Sequence, residues 1–173
     1  DPLPTQQPNT SRDPGPVKPQ DEPAIEPTFI TLPVPESRRD PDTKVNLRLT
    51  RYKRENPRQG SILLIHGLAH SSLVFATDTI KVNLPTYLYQ NGYDVWLLDY
   101  RASIALPDRV PGRWLAENQW TMDQMAYYDM HEAVKYVYCE TGHEQIQVLA
   151  HCVGAGCLAM AILDGRCHDP AFI

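Results

Sequence analysis

Ile146-Gln147-Val148-Leu149-Ala150-His151-Cys152-Val153-Gly154-Ala155-Gly156-Cys157 is the stretch on which the reading of the fold turns. Its first half is a short apolar run rich in branched residues, which reads as a buried strand. The run breaks at Gly154 and Gly156 and resumes as Leu158-Ala159-Met160-Ala161-Ile162-Leu163, an apolar helical pattern. At the junction Ala150, Cys152 and Gly154 stand in the small-x-nucleophile-x-Gly places of a nucleophile elbow, with cysteine where serine is common. A sharp strand-to-helix turn lifts the central side chain above the sheet, and only small residues on either side let the backbones pass. A thiolate is a strong nucleophile, and the unpaired N–H groups that open a helix favour the anion. The plainer reading is a structural cysteine beside a glycine-rich turn, since free cysteines are often buried. The elbow spacing favours the functional one.

Composition bounds the rest. A chain of 173 residues suffices for one domain with a sizeable core. A net charge of −5 and a pI near 5.6 recommend neither nucleic acid nor an anionic membrane as partner. The four cysteines, Cys139, Cys152, Cys157 and Cys167, have no zinc-type spacing and are too few for a disulfide scaffold. A reduced, cytoplasmic setting is therefore expected, with no metal and no cofactor. No signal peptide is visible, and a start at Asp1 points to a processed product or an internal piece of a longer protein. Ile146 to Leu163 is apolar enough to raise a membrane span. Gln147, His151 and two glycines interrupt it, so no transmembrane segment is expected.

Residues 1–27 form a proline-rich linker or tail; of 16 prolines, 11 precede residue 42. Phe29 to Leu32 reads as a short strand stopped by Pro33. Val45 to Thr50 alternates apolar and polar, the mark of a half-buried strand. The charges between Arg51 and Gly60 read as a solvated turn. Ser61 to Ile65 is a strand covered on both faces of a parallel sheet, and it ends in His66-Gly67-Leu68-Ala69.

Asn83 and Pro85 open a helix whose apolar side is Leu84, Tyr87 and Leu88, and Asn91-Gly92 ends it. Tyr93 to Asp99 is the next strand. Arg101 to Trp120 is a long irregular connection holding Trp114 and Trp120, a length common over binding sites. Thr121-Met122-Asp123-Gln124 is a capping box. It opens a helix to about Glu140 with Met122, Met125, Ala126, Ala133, Val134 and Val137 as its buried stripe, and Thr141-Gly142 closes it. Strands alternating with helices predict an α/β fold with a mostly parallel sheet flanked by helices.

The strand ending His66-Gly67, the strand Tyr93 to Asp99 and the elbow Ala150-His151-Cys152-Val153-Gly154 together resemble the α/β-hydrolase superfamily. Gly92 to Leu97 and Trp120 to Asp129 also look like its acid lipase branch. Trp96-Leu97-Leu98-Asp99-Tyr100-Arg101, read with His151-Cys152-Val153-Gly154, is similar to the hydrolase domain associated with GMC-type, cholesterol oxidase-like oxidoreductases. The resemblance spans roughly residues 45–165, and 28–173 reads as the N-terminal part of such a hydrolase domain. It implies Cys152 as nucleophile, with the backbone N–H groups of Val153 and Leu68 as oxyanion donors. His151 reads as a rim residue, and Asp99 and Arg101 as ion-paired structural residues.

The superfamily order of nucleophile, acid, histidine places the last two after further strands. Asp164, His168 and Asp169 follow the elbow helix too closely to serve, so acid and base are expected outside this chain. The resemblance implies a carboxylic ester hydrolase for an apolar lipid or sterol ester. Two alternatives stand beside it. One is an acyltransferase of the polyhydroxyalkanoate synthase type, which also carries an elbow cysteine. The other is a non-catalytic hydrolase-like domain docked to a fused or partner oxidoreductase.

Overall fold

A computed structural model describes residues 25–106, 120–142 and 145–165. Its centre is a five-stranded sheet in the order β1-β2-β4-β3-β5. The strands are β1 (Thr28–Pro35), β2 (Lys44–Tyr52), β3 (Ser61–Ile65), β4 (Asp94–Asp99) and β5 (Ile146–Ala150). β4, β3 and β5 run parallel, and β2 and β1 are added antiparallel beyond β4. Helix α1 (Leu84–Gln90) follows β3. Helix α2 follows β4 in three continuous segments, Met122–Gln124, a π-helical turn Met125–Met130, and His131–Thr141. Helix α3 (Val153–Leu163) follows β5. No helix among the described residues is long and apolar enough to cross a membrane.

The two-residue period of the strands divides the core between the two faces of the sheet. Leu63, Ile65, Trp96 and Leu98 point to the side covered by α2 and α3. Ile62, Leu64, Val95 and Leu97 point to the other side, against Leu84, Leu88 and Tyr89 of α1. Because β3 and β4 are buried on both faces, they read in the sequence as unbroken apolar runs. The Asn83 side chain caps α1 by accepting from the Thr86 N–H at 3.0 Å. Thr121 and Gln124 form the reciprocal capping box that opens α2. Gly142, at φ +62°, closes it in the left-handed conformation.

Four readings are corrected. β1 continues through Pro33, which pairs with Asn46, because β1 lies at the sheet edge where a missing N–H is tolerated. Arg51 belongs to β2; its guanidinium binds Asp94 at 3.0 Å and stacks 4.5 Å from the Trp96 ring, so it is no part of a solvated turn. Tyr87 faces outward, and Tyr89 takes its place on the buried side of α1. Met122 is 43% exposed because the π-helical turn, with its wider winding, rotates the first turn of α2 away from the stripe. Of the long connection, residues 107–119 lie outside the described residues, as do residues 1–24 of the proline-rich segment.

The π-helical turn carries Asp129 into the core, where it meets Arg101. Both side chains are fully buried and 2.8 Å apart, and Arg101 also donates to the carbonyls of Glu36 (2.8 Å) and Pro35 (3.1 Å). One guanidinium thus ties α2 to the end of β1. Asp129→Ala would leave a buried cation without its counter-charge, and we expect a loss of about 3–5 kcal/mol in urea denaturation.

Candidate active site

β5 hands the chain to α3 through His151 and Cys152. The His151 N–H donates to the Ile65 carbonyl at 2.9 Å, extending the β3–β5 ladder by one residue. At Cys152 the backbone turns to φ +54°, ψ −124°, a conformation that costs a non-glycine residue about 1–3 kcal/mol. The surroundings hold it there. The Cys152 carbonyl accepts from the N–H groups of Ala155 (3.0 Å) and Gly156 (3.2 Å), so the first turn of α3 starts at the strained residue. Gly154 permits the close approach, since a Cβ there would stand 2.3 Å from the His66 carbonyl oxygen. The result is an exposed Cys152 thiol at the head of a helix, above the parallel strands.

The segment after β3 lies against it. A methyl group on Gly67 would be 3.1 Å from the Cys152 Cβ and 3.0 Å from His151 Nδ1. Leu68 follows with its side chain half exposed, and Ala69 has φ +56°. Neither the Leu68 nor the Val153 N–H is hydrogen-bonded to another of the described residues. The three residues singled out from the sequence, Cys152, Leu68 and Val153, thus share one end of the sheet. His151 is exposed, its ring edge against Gly67.

Beneath the segment, His66 is fully buried and its Nδ1–H donates to the Gly67 carbonyl at 2.7 Å. Burial pushes the pKa of this imidazole down, against the opposing pull of the Gly67 carbonyl and of Asp99. The ring stacks on Tyr100 with centroids 4.5 Å apart. His66 Nε2 and the Tyr100 hydroxyl are buried without a hydrogen-bond partner among the described residues.

Asp99 and Arg101 are each ion-paired, but with separate partners, Arg48 and Asp129. Burial alone would raise the Asp99 carboxyl. Hydrogen bonds from Ser72, Ser103 and Arg48 outweigh it and hold the group below the usual carboxylate range. The sequence reading missed Ser72, Ser103 and the inward set of His66. Ser72 meets Asp99 across 27 positions and His66 stacks on the distant Tyr100, while Ser103, four residues from Asp99, carries no motif of its own; the local hint was the His-Gly pair at a strand end.

The cysteines differ in kind. Cys152 and Cys139 are exposed. Cys157 is fully buried, and burial, helped by the Asp129 charge, pushes its thiol up to about 11. Cys167 lies outside the described residues. No cluster of side chains suited to a metal is present among the described residues.

Comparison with known proteins agrees with this architecture. Over 119 residues the chain is 31% identical to Sterol esterase 2 of Saccharomyces cerevisiae, covering 65% of this chain and 21% of that protein. Over 120 residues it is 30% identical to a probable lipase of Schizosaccharomyces pombe, covering 68% of this chain and 27% of that one. The chain therefore spans about a fifth to a quarter of the length of these relatives. Among solved structures, the peroxisomal alpha-beta-hydrolase Lpx1 of Saccharomyces cerevisiae superposes with a TM-score of 0.50 at 14% identity, over 79% of this chain and 40% of that one. Residues 60–167, from the start of β3 to just past α3, match the alpha/beta hydrolase fold family, and the chain belongs to it.

Proposed function

We propose that this chain supplies the nucleophile and oxyanion hole of a carboxylic ester hydrolase acting on apolar, lipid- or sterol-ester-like substrates. The observation that carries the reading is the exposed Cys152 thiol, held at positive φ at the head of α3 and against Gly67. The thiolate attacks the ester carbonyl carbon, and the carbonyl oxygen becomes an oxyanion facing the N–H groups of Leu68 and Val153. Collapse of this intermediate leaves a thioester on Sγ and expels the alcohol, which takes a proton. Water then cleaves the thioester, releasing the acid and restoring the thiol. The histidine and acid that move and orient the proton lie, in this reading, beyond residue 173. The chain spans only about a fifth to a quarter of its relatives' length, which leaves room for those residues outside it. The ester class is supported by the names those relatives carry, a sterol esterase and a lipase.

A cysteine at the elbow also suits acyl transfer, because thioester donors exchange readily with a thiol. Product analysis with an acyl-CoA donor separates transfer from hydrolysis. The test of the nucleophile is direct. The chain extended beyond residue 173 is treated with a p-nitrophenyl ester, quenched in acid and digested, and the acylated peptide is identified by mass. The acyl group is expected on Cys152. Iodoacetamide at neutral pH should alkylate Cys152 ahead of Cys139, which is exposed and serves as internal standard, and well ahead of Cys157. Indifferent alkylation with no acyl group on Cys152 would remove the reading in favour of a non-catalytic docking domain.

A further inference from the structure

The Asp99 carboxylate has no exposure, yet it sits where three separate pieces of chain converge. Ser72 donates to it twice, through its N–H and its hydroxyl, each at 2.7 Å. The Ser103 hydroxyl donates at 2.7 Å, and Arg48 of β2 donates through Nε (3.1 Å) and a terminal nitrogen (2.7 Å). His66 Nε2 lies 3.7 Å away, facing the carboxylate without bonding to it. The loop after β4 is joined to the same segment a second time, by the Ile104 N–H donating to the His70 carbonyl at 3.1 Å.

These contacts bracket the segment from Gly67 to Ser72. At its near end the His66 Nδ1–H holds the Gly67 carbonyl. No peptide bond of the described chain is cis, so the N–H of Leu68 points opposite to that carbonyl and away from the ring. Fixing the Gly67 oxygen therefore fixes the direction of the Leu68 N–H. At its far end the segment is pinned by Ser72 on Asp99. Ala69, in the left-handed region between them, would relax if either end were free.

We propose that Asp99 is a positioning residue: it anchors the Gly67–Ser72 segment so that the Leu68 N–H stays aimed at the developing oxyanion. The proposal rests on the reading of Leu68 as an oxyanion donor. Asp99 touches neither the substrate nor the nucleophile. Its effect passes through Ser72 and through its own position 3.7 Å from His66. A donor displaced by about 1 Å loses on the order of 10²-fold in rate, because oxyanion stabilisation depends on donors fixed before the charge appears.

The test uses the chain extended beyond residue 173 and its Asp99→Ala, Asp99→Asn and Ser72→Ala variants. Backbone hydrogen exchange is read over residues 67–74, with β3 and β5 as reference, alongside p-nitrophenyl ester turnover. Asp99→Ala should quicken exchange over 67–74 by about tenfold or more while β3 and β5 keep their protection. In turnover, kcat should fall by about 10–10²-fold at nearly constant KM. Asp99→Asn keeps an acceptor for the Ser72 N–H and should recover most of both. Ser72→Ala removes a single hydroxyl, leaves the sheet intact, and should fall between the wild type and Asp99→Ala; it decides the question if Asp99→Ala does not fold. Unchanged exchange over 67–74, or a loss of protection spread evenly over the sheet, overturns the proposal. Failure of the nucleophile reading shows separately, as absence of the Cys152 thioester, whatever the exchange pattern.

Discussion

Cys152→Gly is expected to stabilise the protein while removing its turnover. The residue sits at φ +54°, ψ −124°, where a Cβ costs about 1–3 kcal/mol and glycine costs little. Against that relief stands the greater freedom of glycine in the unfolded chain, about 0.4–1 kcal/mol. The net gain should be about 1 kcal/mol, seen as a melting temperature higher by about 2–4 °C. Cys152→Ala keeps the Cβ and should gain nothing. Both variants lack the sulfur, so ester turnover in the extended chain should fall by about 10⁶-fold in each, the size of loss seen when a nucleophile is deleted. Thermal melts and ester hydrolysis on the same three proteins check the prediction. A glycine variant no more stable than the alanine one would mean that the elbow stores no strain. Retained turnover in both would mean that the thiol is a bystander.

Gly154→Ala should be far more damaging than its single methyl suggests. The new Cβ would stand 2.3 Å from the His66 carbonyl oxygen and 2.8 Å from Ile65 Cγ2. The first of these is backbone at the end of a central strand, and it cannot move without breaking the β3 pairing on both sides. We expect a loss beyond about 4–5 kcal/mol, in the range reserved for named steric faults, and thus little folded protein at 25 °C. Gly156→Ala is the control. Its Cβ would meet only Met122 Cε, at 3.3 Å, the far end of a flexible side chain. Alanine is better than glycine in a helix by up to about 1 kcal/mol, so this variant should be neutral or slightly stabilised in the same urea titration. Equal tolerance of the two substitutions would contradict the packing described for the elbow.

What the sequence disclosed of this fold follows from the range of the interactions concerned. β3, β4 and the elbow are readable because strands buried on both faces leave unbroken apolar runs, and the passage from β5 to α3 demands small residues at fixed spacing. The Asn83 cap and the Thr121–Gln124 box are equally legible, being contacts three residues apart. The place of Arg51 is not legible locally, because its partner Asp94 is 43 residues on and its aromatic neighbour Trp96 farther still. The Asp99 cluster is hidden for the same cause, since Ser72 and Arg48 lie 27 and 51 positions away. Pro33 reads as a stop because a proline carries no sign of whether its strand is central or at an edge. The meeting of Cys152 with the Gly67 segment lies between these extremes, because motif order suggests it but only the β3–β5 pairing brings it about.

The π-helical turn at Met125–Met130 holds one residue more than an α-helical turn would. Removing one position there would close it to an ordinary α-helical turn and leave the helix on either side in place. A position gained or lost in the regular stretch His131–Thr141 has no such outlet and would turn one part of the helix against the other by about 100°. The wide turn is therefore the place along α2 where a change of length is most easily absorbed.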